Sequence, residues 1–278
     1  MNERQFKLDE LVLHALESGV GQSRVIVALH GWLDNAATFN EMRQHFDDYH
    51  FIALDLMGHG YTDHRPASMP YYIWDNVSDV LAIIDQLGLE KVTLLGHSMG
   101  ASIATLFAGA FPERVEKLFL IEGLAPLVYE AAELPVLMAD AITKRSKMKA
   151  KKLRPYPNKE SAIDVRMSGR WPVNRQAAEW LIDRGLKQTP EGYIWRSDRG
   201  LMLPSLLRMS ESQVGAFLQA ITVPVRLYLG DTGIYDDLWG ERVKLISDVE
   251  IVRLQGNHHL HLESAAARSI AEDIKNSH

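Results

Sequence analysis

The stretch KVTLLGHSMGASIATLFAGAF, residues 91–111, constrains the fold more than any other part of the chain. Its first half is a short apolar run that reads as a buried strand, and its second half is a helix of small and apolar residues. Gly96-His97-Ser98-Met99-Gly100 joins them, so the chain turns sharply at one serine. Such a turn crowds the strand against the helix. Side chains two positions either side of Ser98 would clash, which accounts for Gly96 and Gly100, with Ala101 and Ser102 keeping the helix start slim. A serine held this way is a candidate nucleophile, with the N–H of Met99 at the helix start facing a developing oxyanion.

The same strand-to-helix rhythm recurs along the chain. RVIVALHGW (24–32) reads as a strand and ATFNEMRQHF (37–46) as the helix after it, while HFIALDLMGHG (50–60) is strand and loop. In 73–89 the apolar residues Val77, Val80, Leu81, Ile84 and Leu87 follow helical spacing, and Gly88 supplies a stop. VEKLFLIEG (115–123), VPVRLYLGD (223–231) and VEIVRLQGNH (249–258) are further strands, followed by a terminal helix. Repeated βα units predict an α/β fold with a mostly parallel, doubly wound sheet. The period-two alternation of KLDELVLHALESG predicts an antiparallel hairpin at one sheet edge. Residues 124–212 carry helical pattern and prolines but no buried strand. The expected organisation is therefore a core of 1–123 and 213–278 interrupted by a helical cap over 124–212.

Composition narrows the function classes. The 278 residues carry a net charge of −6, which argues against nucleic-acid binding through broad positive charge. There is no cysteine, so disulfides, thiolate metal sites and cysteine nucleophiles are excluded. No apolar run is long enough for a membrane span, and the charged N-terminus does not resemble a signal peptide; the expectation is a cytoplasmic protein. The basic stretch KRSKMKAKKLR (144–154) reads as the solvated face of a cap helix rather than a lure for anionic substrates. Of Trp171, Trp180 and Trp195, most are expected to pack inside the cap, with one free to line a pocket.

HGWLDNA, DLMGHG, GHSMG, the segment 198–221 and GNHHLHLE together resemble the α/β-hydrolase superfamily over essentially the whole chain, and more closely its serine hydrolase-like (kraken-like) group. The resemblance implies an α/β-hydrolase fold with a cap inserted after the strand that follows the nucleophile helix. It also implies a Ser-His-acid triad, no cofactor, and a small-molecule acyl substrate. The second oxyanion donor falls on the N–H of Trp32, next to Met99 as the first. Asp55 is expected to hold a glycine-rich turn, and His59 to have no direct role. Three histidines compete as the base, His258, His259 and His261. In related sequences it stands five residues before a glutamate opening the last helix, so Glu263 fixes the count on His258. A metal site in this cluster lacks a supporting motif.

The acid departs from the family pattern. Many relatives carry G-x-x-D after the penultimate strand, but here that position holds Gly233. Glu122, closing an otherwise apolar strand, is the preferred acid, because a carboxylate there is costly to bury unless paired. Asp231 is the alternative, followed by Asp236 and Asp237. The expected reaction is hydrolysis of a small carboxylic ester or related acyl substrate through an acyl-enzyme. A serine at 98 argues against the dehalogenase and epoxide hydrolase chemistries, which need a carboxylate nucleophile. A ligand receptor on the same fold and a cofactor-free perhydrolase are the alternatives.

Overall fold

Strand residues alternate between the two faces of the sheet, and each face finds its own core. In the computed structural model, which describes residues 2–148, 154–235 and 237–277, Val27 and Leu29 enter one apolar cluster while Ile26 and Ala28 enter the other. The strands are β1 (Asn2–Leu8), β2 (Leu11–Ser18), β3 (Val25–Leu29), β4 (His50–Leu54), β5 (Val92–His97) and β6 (Val115–Ile121). Two more close the chain's sheet, β9 (Val225–Thr232) and β10 (Val249–Asn257), after a separate hairpin of β7 (Leu186–Thr189) and β8 (Gly192–Trp195) within 124–212. The main sheet runs β1-β2-β4-β3-β5-β6-β9-β10. It is parallel from β4 to β10, and the hairpin β1–β2 adds an antiparallel edge.

Helices α1 (Asp75–Gln86), α2 (Met99–Ala110) and α6 (Glu211–Ala220) bury apolar residues against one face, and α8 (Ser264–Asn276) covers the other. A short helix α7 (Asp237–Val243) lies between β9 and β10. As expected for a stop, Gly88 adopts a positive φ of 67° just beyond α1.

Two expectations differ from what is observed. The helix expected over 37–46 is a pair of 3-10 turns, Ala36–Phe39 and Met42–His45. The first is fixed from outside: Asp55 accepts the N–H of Ala36 and Asn35 that of Ala37, and its hydrogen bonding ends at Asn40. Phe39, Met42 and Phe46 still bury at helical spacing, which is the signal the sequence carries.

The segment expected to form a helical cap without a buried strand holds α3 (Leu134–Met148), α4 (Lys159–Met167) and α5 (Arg175–Gly185), but also the β7–β8 hairpin. Its strands have four residues each and are mostly half-exposed, so they lack the continuous apolar run that marks a buried strand. Ala162, Ile163, Ala177, Ala178, Leu181 and Ile182 give this segment a small core of its own, joined by Leu262 from the main body. By contrast α3 buries only Ala141 among its described residues. Of the basic stretch, Lys144 and Lys147 are exposed, and 149–153 lie outside the described residues.

Candidate active site

The parallel strands β3, β5, β6 and β10 all end on the same side of the sheet, and each delivers one part of the site from its carboxyl end. Ser98 follows β5 with φ 53° and ψ −112°, a conformation that non-glycine residues rarely adopt. Strain of this kind costs on the order of 1–3 kcal/mol and persists only where the surroundings impose it. They do so here. The Ser98 N–H donates to the carbonyl of Ile121 at 2.9 Å, and Ser102 N–H donates to the Ser98 carbonyl at 3.2 Å. A Cβ at Gly96 would lie 2.5 Å from the Ala101 Cα, and one at Gly100 2.0 Å from the Leu29 carbonyl oxygen. Both glycines are required by close backbone approach.

Three of the four non-glycine residues with positive φ among the described residues, Leu33, Ser98 and Glu122, flank this site. His258 joins two of them. Its Nε2 lies 3.0 Å from Ser98 Oγ, and its Nδ1 lies 3.2 Å from Glu122 Oε2. A carboxylate can only accept, so Nδ1 carries the proton and Nε2 is free to accept the serine hydroxyl. Glu122 is fully buried, and it also accepts the N–H of Gly230 at 2.6 Å and of Ile234 at 2.9 Å. A Cβ on Gly233 would stand 2.1 Å from its Oε1. The Glu122 carboxylate thus fills the space that an acid at 233 would need. Asp231 is not brought to His258; it turns to β10 and accepts the N–H of Gly256 at 2.9 Å. Asp236 and the side chain of Asp237 lie outside the described residues.

The loop after β3 passes directly against the serine, since a Cβ on Gly31 would sit 3.3 Å from Ser98 Cβ. Trp32 follows Gly31 in this loop, and Met99 opens α2 directly after the serine. The Trp32 indole is half-exposed and donates to the Leu201 carbonyl at 3.0 Å.

Two buried histidines cross-brace that loop. His30 Nε2 accepts the Leu56 N–H at 3.0 Å, and His59 Nε2 accepts the Leu33 N–H at 3.2 Å. Their Nδ1 protons go to the carbonyls of Gly31 and Met57. Burial pushes His30 down to about 4 and His59 to about 3, so both remain neutral acceptors. Asp55, as expected, holds a turn by accepting the Tyr61 N–H at 2.8 Å. It also pairs with Arg184 of α5, which reaches on to Glu3 of β1.

The other histidines of the cluster have different partners. His97 Nε2 donates to the His258 carbonyl at 2.8 Å, and burial holds its ring well below the ordinary histidine range. His261, 4.1 Å from His97 between ring centroids, meets the Thr38 hydroxyl through Nε2. His259 faces Asp34 and Arg166. No group of three or more metal-ligating side chains is arranged to hold a metal ion among the described residues. Of Trp171, Trp180 and Trp195, Trp171 approaches the site, its ring 5.6 Å from that of His258. Trp180 and Trp195 pack on the small core of the 124–212 segment. Asp34, Arg166 and the Trp171 contact escaped the sequence reading, because they depend on how the 124–212 segment docks on the sheet.

A family model described as the alpha/beta hydrolase fold matches residues 24–147. A probable serine hydrolase of Drosophila melanogaster is 30% identical over 258 residues, covering 88% of this chain and 78% of the relative. A serine hydrolase-like protein of Danio rerio is 27% identical over 264 residues, 90% of this chain and 81% of that one. Among solved structures, a hypothetical protein of Pseudomonas aeruginosa PAO1 superposes with a TM-score of 0.94 at 37% identity, covering 100% of this chain and 99% of the other. The chain belongs to the α/β-hydrolase superfamily, in its serine hydrolase-like group, and is a hydrolase by class.

Proposed function

We propose that Ser98, His258 and Glu122 form the catalytic triad of an enzyme that hydrolyses a small carboxylic ester or thioester through an acyl-enzyme. The observation that carries this reading is the unbroken relay from Glu122 Oε2 through His258 to Ser98 Oγ, at 3.2 and 3.0 Å. Ser98 Oγ attacks the substrate carbonyl carbon while its proton passes to His258 Nε2. The carbonyl oxygen takes up the negative charge and is met by the N–H groups of Trp32 and Met99. Glu122 stabilises the imidazolium and holds its orientation. When the tetrahedral intermediate collapses, the bond to the leaving group breaks and His258 returns the proton to it. Water then repeats the sequence on the acyl-Ser98 ester, releasing the acid and restoring the serine.

In this reading the segment 124–212 is a cap that closes the substrate site over the strand ends. A Ser98 nucleophile carries no carboxylate for displacement at an alkyl halide or epoxide carbon, which leaves acyl carbons as the substrate centre.

The test is turnover of short p-nitrophenyl esters. Wild-type protein and the remote Ser269→Ala variant are expected to turn over many equivalents, whereas Ser98→Ala falls to background. Release of a single equivalent by wild type, with no further turnover, would favour a receptor that retains the triad. Unchanged turnover in Ser98→Ala would refute the nucleophile.

A further inference from the structure

One guanidinium ties together the parts of the site that the chain supplies from distant places. Arg166 in α4 donates through Nη2 to Asp34 Oδ1 at 3.2 Å and to His259 Nε2 at 2.9 Å, and through Nη1 to the Trp171 carbonyl at 3.2 Å. Asp34 belongs to the loop that carries Trp32. His259 adjoins His258 in sequence. Trp171 is the residue whose ring meets the His258 ring. The arginine therefore bonds at once to the oxyanion-side loop, to the neighbour of the base, and to the wall beside the base.

From this geometry we infer that Arg166 is a positioning residue that seats Trp171 against His258 when the cap is closed. The inference rests on the proposed role of His258 as the base.

The chemistry favours arginine for the task. Three acceptors in different directions suit a planar fork, which the point charge of a lysine cannot reproduce. The pair is also locked by its burial, with Arg166 and Asp34 side chains only 19% and 7% exposed. Burial alone would raise the Asp34 carboxyl, but the Arg166 guanidinium beside it holds it well below the usual carboxylate range. Either ion left alone would be a buried, uncompensated charge, so the two stay together. The seated indole covers one side of the His258 ring. Water is thereby kept from the proton-transfer path, where it would weaken the interactions of the relay. The same contact fixes one wall for the departing group.

A purely structural role for Arg166 would make its removal and that of Trp171 independent. A positioning role makes them redundant. In a double-mutant cycle, Arg166→Met and Trp171→Phe are each expected to lower kcat about 10- to 100-fold. The double variant should lose no more than the larger single loss. KM should change less than kcat, because the contact is with the base. Arg166→Lys should fold with its charge paired and recover only part of the rate, and it stands in for Arg166→Met if that variant does not fold.

A second readout needs no turnover. In the Ser98→Ala background, Trp171 emission is isolated as the difference from Trp171→Phe. The emission of an indole reports the groups its ring touches, so it is expected to change in the same sense in His258→Gln and in Arg166→Met. Multiplicative losses in the cycle, or a Trp171 emission that changes in His258→Gln and stays at the wild-type value in Arg166→Met, would overturn the inference. A wrong base assignment shows itself separately, as full turnover in His258→Gln.

Discussion

At the scale of single residues, the acid behind His258 decides how the site is read. Glu122 stood out in the sequence because a carboxylate closing Leu118-Phe119-Leu120-Ile121 demands a partner. What the sequence could not convey was why Gly233 stands where relatives carry aspartate. The two positions compete for one volume, and the Glu122 carboxylate occupies it. Under the proposed mechanism Glu122→Gln should lower kcat about 10³- to 10⁴-fold, the scale seen when the orienting acid of such a triad is neutralised. Asp231→Asn should leave kcat within about twofold of wild type, since that carboxylate serves the Gly256 N–H instead. Glu122 has φ 48°, so Glu122→Gly keeps the backbone while vacating the space. Adding Gly233→Asp to Glu122→Gly should then recover part of the rate. No recovery, with the double variant folded, would mean that the carboxylate must come from β6.

At the scale of elements, the loops at the strand ends are held by groups that titrate. The His30–His59 brace binds the 30–35 loop to the 55–60 loop through two ring nitrogens that accept backbone N–H groups. Protonating either ring removes an acceptor. Both pKa values lie below the unfolded value of 6.5, at about 4 and about 3, so the unfolded chain binds more protons across that window. Stability is then complete above about pH 6.5 and falls as pH drops towards 4 and below. His30 alone accounts for about 2 kcal/mol between pH 7.5 and 5 by this linkage. His97 and His261, lowered by burial, act in the same direction. Urea unfolding at the two pH values measures the difference, and equal free energies would contradict the brace. The histidines were visible in the sequence, but this pairing was not. It joins residues 26 positions apart through the tautomer each ring adopts.

At the scale of the whole molecule, the sheet and the 124–212 segment differ in how much of them the sequence declared. β3 and β5 are buried on both faces and so read as short continuous apolar runs, which made the parallel core and the elbow legible residue by residue. Glycine spacing around Ser98 reports a backbone clash that any such turn must avoid. The 124–212 segment has no equivalent signal. Its hairpin is short and half-exposed, and Arg166 and Arg184 find Asp34 and Asp55 across 132 and 129 positions. Such contacts depend on tertiary docking and leave no local pattern. Docking is also uneven: α4 and α5 are tied to the body by buried ion pairs, while α3 buries one residue. Under the proposed function the 124–212 segment caps the carboxyl ends of the strands; no helix among the described residues is long and apolar enough to cross a membrane.

The central claim is that Ser98 is a nucleophile activated by His258, and covalent trapping tests it most directly. A fluorophosphonate is attacked by an activated serine with loss of fluoride, leaving a stable mass increment that peptide mapping can locate. One equivalent is expected on Ser98, none in Ser98→Ala, and labelling slowed at least about 100-fold in His258→Gln. A label on another residue, or equal labelling rates in wild type and His258→Gln, would contradict the account.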